Sequence, residues 1–359
     1  MDSTEKLLKE LTEARATVGH EDEVRRIMAA RLGRLGEVRF DGLGSVLCEL
    51  RGSADRPRVM LAAHMDEIGF LVKHVTKGGF LRLYPLGGWM PPVLSGQRMA
   101  VQTAGGDVPA VIGSRPPHGV PREERHIGPK LAELYADIGA TSREEVAAAG
   151  VRVGDPVVPD APFVPMRDPQ TYLAKAFDDR AGCALLIELM EAFASRPHPN
   201  TLVAAATVQE EPLTERGAAT SLEFAKPDVA IILEGALAED TPDHGEDGPV
   251  RLGGGPGLSV GDDGVVLNPR LRDLVTGLAE KAGIPLQPHV LAGGHTDGMV
   301  IQQHRGGVPT VTFGVPMRYV HCHSGIMKRS DYDGTLRLIG LLIEELSAAT
   351  VSRLGFAGG

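Results

Sequence analysis

The sequence of 359 residues contains few cysteines and few aromatic residues. Its three cysteines, Cys48, Cys183 and Cys322, include no C-x-x-C pair, so we expect neither a disulfide framework nor a cysteine-based zinc site. Aromatic residues make up 4% of the chain, and Trp89 is its single tryptophan. This scarcity argues against a surface that stacks the bases of nucleic acids.

Long apolar runs and basic clusters are also missing. No stretch approaches the roughly 18–20 apolar residues of a membrane span, and the charged N-terminus lacks the apolar stretch of a signal peptide. The chain has 37 basic and 47 acidic residues and a net charge of -10, with no basic cluster to follow a phosphate backbone. We therefore expect a cytoplasmic protein that binds neither a membrane nor a nucleic acid.

Helix-like and strand-like patterns alternate in the first and last parts of the chain. Such alternation implies a mostly parallel sheet covered by helices on both faces, and hence an α/β fold. The predicted strands lie at 45–51, 58–63, 201–208, 229–233 and 309–313, and the later predicted helices at 181–194, 268–282 and 331–350.

The pattern changes between residues 70 and 165. Short β-like runs alternate there with glycine and proline, interrupted by one helix-like piece at 129–135. Spacing and turn residues predict a small β-rich unit. We therefore expect residues 1–69 and 166–359 to form one α/β domain, with the β-rich segment inserted between its two parts.

Ionisable side chains follow several of the predicted strands directly. In a doubly wound sheet, ligands gather outside the carboxyl ends of the strands, so we expect these side chains to converge. They are His64 and Asp66 in the segment VMLAAHMDEIGF, Asp178 before a helix, Glu210 and Glu211, Glu234, and His321.

Two imidazoles and several carboxylates in one crevice need compensating cations. Nitrogen and oxygen donors of this kind suit divalent ions, zinc first among them. Taken alone, Asp178-Asp179 is typical of a helix N-cap and Glu210-Glu211 of a solvated pair. Their recurrence at strand ends favours a metal site, of the kind that can leave a coordination position open for water.

Several ordered motifs of the chain resemble those of the M42 family of dinuclear metallo-aminopeptidases, which includes the tetrahedral and glutamyl aminopeptidases. The family's His-Met-Asp-Glu-Ile-Gly-Phe is matched at 64–70, its Asp-Asp/Asn-Arg at 178–180, its Gln-Glu-Glu at 209–211 and, with one change, its Arg-Tyr-Ile-His at 318–321. Further likenesses lie at 111–114, 133–140 and 294–297. The resemblance spans nearly the whole chain.

The resemblance implies two divalent metal ions per subunit, zinc first, with cobalt or manganese as alternatives. One ion would be held by His64, Asp178 and Glu234, and the other by Asp178, Glu211 and His321. Asp178 would thus bridge the two. The resemblance further implies that Asp66 orients His64 and that Glu210 is the general base.

These roles imply an aminopeptidase that hydrolyses N-terminal residues from peptides, with a metal-bridging hydroxide as nucleophile. The family also implies that the α/β domain is catalytic and zinc-peptidase-like, and that the insertion at 70–165 is a dimerisation domain. A homo-oligomer built from dimers is then expected, either the dimer itself or a dodecamer.

The chain departs from the family pattern at three places. Glu234 stands where the family usually has aspartate, the loop at 212–216 is one residue longer, and Cys322-His323 replaces Ser-Pro after the last ligand. The last change puts an additional sulfur or imidazole donor near the site. Substrate preference, and even the reaction, can differ as a result.

Two other functions remain open at this point. A related dinuclear deacylase or carboxypeptidase would need a cation for the substrate carboxylate, for which Arg180 and Arg318 are candidates. A non-catalytic binding protein with a decayed site is the second alternative, although the retention of Glu210 speaks against it.

Overall fold

The computed structural model describes residues 1–119, 121–122, 128–212, 214–242 and 248–355. The helices of this part are α1 Ser3–Glu13, α2 Asp22–Leu32, α3 Arg143–Ala148, α4 Phe177–Ala194, α5 Arg216–Ala225, α6 Pro269–Ala282, α7 Gly298–Gln302, α8 Arg329–Glu345 and α9 Ala348–Leu354. No helix in these ranges combines the length and apolar character that crossing a bilayer requires.

The strands form one large sheet and one closed barrel. The strands of the sheet are β1 Val38–Phe40, β2 Val46–Arg51, β3 Arg58–His64, β10 Val164–Pro165, β11 Thr171–Ala174, β12 Thr201–Thr207, β13 Val229–Leu237, β14 Gly257–Gly261, β15 Gln287–Val290, β16 Thr310–Arg318 and β17 Gly325–Lys328. Those of the barrel are β4 Gly69–Val75, β5 Leu81–Leu86, β6 Arg98–Thr103, β7 Gly106–Gly113, β8 Tyr135–Asp137 and β9 Pro156–Pro159.

The centre of the large sheet is parallel. Strands β12, β3, β13 and β16 lie side by side in that order, and antiparallel strands flank them on both sides. All of β12 and nearly all of β3 is buried, as expected for strands covered on both faces. The α/β fold with a parallel central sheet is therefore confirmed.

Strand β3 shows how the two faces are covered. Val59, Leu61 and Ala63 point into the core that contains α4, whereas Met60 and Ala62 point into the core beneath α5 and α7. This alternation follows from the two-residue period of a strand. Both faces of the strand are therefore packed against apolar side chains as far as its carboxyl end, where His64 lies.

Strands β13 and β16 extend beyond their predicted ends. The prediction stopped at residues 233 and 313, but the strands continue to Leu237 and Arg318 and pair as far as Leu237 with Met317. Pairing with a neighbour, which the pattern of one strand does not contain, extends both. Glu234 consequently lies within a strand.

The barrel follows β3 almost directly, because β4 begins at Gly69. Its strand order is β4, β5, β8, β7, β6 and β9, and its core includes the stacked rings of Phe70 and Trp89, with centroids 5.1 Å apart. The helix predicted at 129–135 is wrong: a single 3-10 turn there leads into β8, which pairs with β5 and β7. Closure of the barrel outweighs the local helical preference.

Arg180 lies fully buried in α4 and joins the N-terminal segment to the strand end at His64. Its guanidinium donates to the carbonyl oxygens of Leu11, Ala14, Ala16 and Met65 at 2.7–3.0 Å and lies 3.3 Å from the Glu67 carboxylate. The Lys175 ammonium, also buried, donates to the same carboxylate at 2.5 Å. This buried pairing fixes the backbone that carries the strand end.

Replacing Arg180 with methionine should destabilise the fold strongly, because four carbonyls lose their donor and Glu67 loses one of its two cations. Breaking a buried pair on one side costs roughly 3–5 kcal/mol, and the midpoint of urea denaturation would measure the loss. Arg196→Met is the matched control, since Arg196 and its partner Glu344 are 44% and 43% exposed and such pairs contribute about 1 kcal/mol or less. Equal losses in the two variants would contradict this role of Arg180.

Candidate metal centre

The predicted site residues meet at the carboxyl ends of the central strands. His64 is the last residue of β3, Glu234 lies in β13, Asp178 lies in the first turn of α4, Glu210 and Glu211 follow β12, and His321 follows β16. All except His321 are buried or nearly so. The sequence patterns that suggested convergence therefore correspond to one cluster in space.

His64, Asp178 and Glu234 form the first group. His64 Nε2 lies 3.1 Å from Asp178 Oδ1 and 3.5 Å from Glu234 Oε1. One ligand atom from each of the three lies within 4.8 Å of the others. This spacing and the mixed nitrogen and oxygen donors fit a single divalent ion.

Asp178, Glu211 and His321 form the second group, and Asp178 belongs to both. His321 Nε2 lies 3.2 Å from Glu211 Oε2 and 3.5 Å from Asp178 Oδ2, and the three offer ligand atoms within 4.8 Å of one another. Asp178 thus directs Oδ1 to His64 and Oδ2 to His321. Its carboxylate can be shared between two ions.

The charges of the cluster are tightly interdependent. Burial raises the pKa of Glu234 to about 8 and raises that of Glu211. Burial acts on Asp178 in the same direction, but its hydrogen bond with His64 and the charges of His64 and His321 outweigh it and lower its pKa to about 2. Divalent cations would take the place of the protons that the buried carboxyls otherwise retain.

Asp66 is fully buried and holds the backbone of the Glu210-Glu211 pair. Its Oδ1 accepts from the Glu210 amide and its Oδ2 from the Glu211 amide, both at 3.1 Å. The neighbouring Gln209 has a φ of 59°, an unfavourable conformation for a residue other than glycine. The Asp66 carboxylate therefore stabilises a strained turn that presents both glutamates.

The ring of His64 has a different contact with Asp66 from the one expected. Its Nδ1 lies 3.0 Å from the backbone carbonyl oxygen of Asp66 and 3.7 Å from the carboxylate. A carbonyl only accepts, so Nδ1 carries a proton, and Nε2 faces the carboxylates of Asp178 and Glu234. Asp66 thus contacts the ring chiefly through its main chain.

Two further buried carboxyls support the cluster, and neither was predicted to belong to the site. Asp179 accepts from the amides of His64 at 3.1 Å and Gly182 at 2.9 Å, and so joins the end of β3 to α4. Asp297 accepts from the Thr207 hydroxyl at 2.6 Å, and burial raises its pKa to about 6. Both lie in segments that match family motifs, and this match is the sequence feature from which a role in the site could have been predicted.

The three departures from the family pattern have clear structural outcomes. The longer side chain of Glu234 still reaches His64. In the loop at 212–216, the buried Glu215 carboxylate lies 2.6 Å from His295 Nδ1. His323 turns towards the barrel, where its Nε2 lies 2.7 Å from the carbonyl oxygen of Arg98. It is therefore engaged away from the metal-ligand groups.

Both arginines suggested for a substrate carboxylate are bonded to other groups of the protein. Arg180 is fully buried and its donors are taken by carbonyl oxygens and Glu67. Arg318 forms a two-point pair with Asp240 at 2.7 and 2.8 Å. The residue type alone suggested a binding role, whereas the tertiary partners decide it.

The cluster opens into a cleft of about 820 Å³, a size typical of ligand sites. Tyr84, Pro85 and Leu86 of the barrel form one wall, and the loop 291–296 forms another. Substrate would therefore reach the acidic cluster between the α/β sheet and the barrel.

Comparison with known proteins agrees with this geometry. A family model described as M42 glutamyl aminopeptidase matches residues 44–338. The glutamyl aminopeptidase of Lactococcus lactis is 34% identical over 97% of this chain and 98% of its own. The lysyl aminopeptidase of Pyrococcus furiosus is 35% identical over 95% of this chain and 96% of its own.

Two solved structures extend the likeness to the fold. A TET aminopeptidase from a marine sediment archaeon of the Thaumarchaeota has a TM-score of 0.94 and 40% identity, with 99% of this chain and 100% of that chain covered. The TET1 peptidase of Pyrococcus horikoshii, which can assemble into a tetrahedron or a large octahedral shell, has a TM-score of 0.85 and 29% identity over 96% of this chain and 100% of its own. The protein therefore belongs to the M42 family of metal-dependent aminopeptidases.

Proposed function

We propose that the protein removes N-terminal residues from peptides with the help of two divalent ions. His64, Asp178 and Glu234 would hold one ion, and Asp178, Glu211 and His321 would hold the other. The observation that carries this proposal is that the two oxygens of Asp178 face different imidazoles, those of His64 and His321. Glu234 completes the first ligand group and Glu211 the second. The donor set favours zinc, with cobalt or manganese as alternatives.

Two such ions, when bound, polarise a carbonyl and lower the pKa of a water molecule. Glu210 is the residue that moves the proton. It lies beside the first group, with Oε2 3.9 Å from His64 Nε2, and Asp66 fixes its amide. Burial raises the pKa of Glu210, which suits a carboxylate that accepts a proton from the attacking water and then protonates the leaving amine.

The alternative functions have less support. A deacylase or carboxypeptidase needs a cation for the substrate carboxylate, and both suggested arginines are engaged elsewhere. A decayed site is at odds with two complete ligand groups and with the retained Glu210.

We also propose that residues 70–165 form a dimerisation domain, and that residues 1–69 and 166–359 form the catalytic domain. Exposed apolar side chains on the barrel and its loops support this, because a contact between two barrels would remove such side chains from water. They are Phe80, Tyr84, Met90, Val111 and Val153. The assembly of the Pyrococcus horikoshii relative supports a homo-oligomer as well, either a dimer or a dodecamer.

The substitution Glu210→Gln should leave both ions bound and reduce peptide hydrolysis by roughly 10²–10⁴-fold, because it removes a general base and no metal ligand. Measuring kcat with a peptide and metal content by mass spectrometry separates the two effects. Glu211→Gln is the matched control, since the same change at the neighbouring residue removes a proposed ligand and should lower the metal content. A loss of metal from Glu210→Gln would overturn this division of roles.

Placing charges on the barrel should break the dimer. Met90 and Val153 are each 64% exposed, so a double change to glutamate should leave the fold intact while like charges meet across a contact between barrels. Light scattering should then report monomers, and the metal content measured by mass spectrometry should be unchanged. Glutamates at Val266 and Val290, which are 75% and 66% exposed outside the barrel, serve as the control and should preserve at least the dimer. An unaltered particle with the barrel charges would refute the assignment.

A further inference from the structure

A narrow recess adjoins the cleft beside the metal-ligand groups. Its wall includes Glu234, Ser259, Asp262, His289, Leu291 and Thr312. Glu234 and Leu291 also line the cleft, so the recess adjoins it. With a volume of about 10 Å³, it has space for one group of the size of a water molecule. A side chain extending from a bound N-terminal residue could end there.

Two oxygens of the recess have no hydrogen-bond partner. Asp262 Oδ1 accepts from the amides of Gly264 at 2.7 Å and Val265 at 2.6 Å, while its Oδ2 is buried without a partner. The hydroxyl of Thr312 is also buried and unpartnered, in a residue that is 4% exposed. Buried polar atoms nearly always have partners, so these two oxygens indicate a site for a ligand that donates hydrogen bonds.

His289 adds a further acceptor to the wall. Its Nδ1 lies 3.2 Å from the carbonyl oxygen of Gln287, so the Nδ1 atom carries the proton of the neutral ring. Burial lowers the pKa of His289 and favours the neutral form. The other nitrogen, Nε2, is therefore an acceptor.

The charge around the recess is negative. Asp263 lies near Asp262, and Glu239 lies near His289, close enough for each to act on its neighbour's pKa. His295 acts on Asp262 in the opposite direction to Asp263, and its Nδ1 lies 2.6 Å from the Glu215 carboxylate. No lysine or arginine lines the recess among the residues that the structure describes. A carboxylate side chain would therefore be repelled.

We propose that the recess binds the ammonium group of an N-terminal lysine, which makes the protein selective for peptides that begin with lysine. This inference rests on the aminopeptidase function proposed above. The ammonium donates to Asp262 Oδ2 and to the Thr312 hydroxyl, and the methylene groups lie along Leu291. Lysine is preferred to arginine because an ammonium is compact, whereas a planar guanidinium exceeds the available space.

Overall sequence identity to known relatives does not decide between a preference for lysine and one for glutamate. The glutamyl and lysyl aminopeptidases described above are 34% and 35% identical to this chain, although their names refer to side chains of opposite charge. The chemistry of the recess does distinguish them, because a glutamate there would face the Asp262 carboxylate without a cation between them.

The first test compares three nitroanilide substrates of the metal-loaded protein: lysyl, norleucyl and glutamyl. Norleucine has the same chain length as lysine and ends in a methyl group, so the ratio of the two kcat/KM values isolates the ammonium. We expect lysine to exceed norleucine by at least roughly 10-fold, the effect of one charged hydrogen bond, and glutamate to be the poorest. A preference for norleucine or glutamate overturns the inference but leaves the aminopeptidase function intact. Failure to cleave any of them, or alanyl and leucyl substrates, overturns both.

The second test replaces the carboxylate. Asp262→Asn keeps an oxygen for the amides of Gly264 and Val265 and should reduce the ratio of lysine to norleucine roughly 10- to 100-fold. Asp263→Asn is the matched control, because it removes the same charge from an exposed neighbour outside the wall of the recess and should change the ratio much less than Asp262→Asn does. Thr312→Val, which removes an unpartnered hydroxyl, should shift the ratio in the same direction as Asp262→Asn. An equal loss on all substrates, or an equal effect of the two asparagine variants, overturns the assignment.

Discussion

The removal of many carboxylates from water at one edge of the sheet is the constraint on which this structure depends. The buried acids satisfy it in two ways. Asp66 and Asp179 each accept two backbone amides, and they thereby fix the chain around the site. Asp178 and Glu211 instead face imidazoles, and this leaves them suited to bind cations. The hydrogen-bond partners, and not the residue type, separate structural carboxylates from those that can hold metal.

Much of this arrangement could be predicted from the sequence. Parallel strands bring their carboxyl ends together, and an ionisable residue lies at or just after the end of each predicted strand that contributes to the site. Glu234 and His64 are recognisable for that reason. The hydrogen bonds from the amides of Glu210 and Glu211 to Asp66 were not predictable, because predicting them requires knowing that the end of β12 lies beside the end of β3. The hydrogen bonds of Arg180 were unpredictable for the same reason, because their acceptors include carbonyl oxygens of the N-terminal segment, which is distant in sequence. Local pattern identifies candidates, and tertiary pairing assigns their partners.

The barrel contributes both to the wall of the cleft and to the exposed surface of the protein. It begins five residues after His64, at Gly69, so its position is set by the same chain segment that carries the site. Tyr84 lines the cleft and is also 54% exposed. A contact made on this side of the barrel would therefore lie next to the path by which a peptide enters.

The two amides held by Asp66 also have a consequence for how such a protein can diverge. Glu210 and Glu211 are both attached to a single buried carboxylate, whereas Pro212, the next residue, already lines the cleft. A change in the chain beyond this attachment can therefore alter the cleft without altering the spacing between the two glutamate amides.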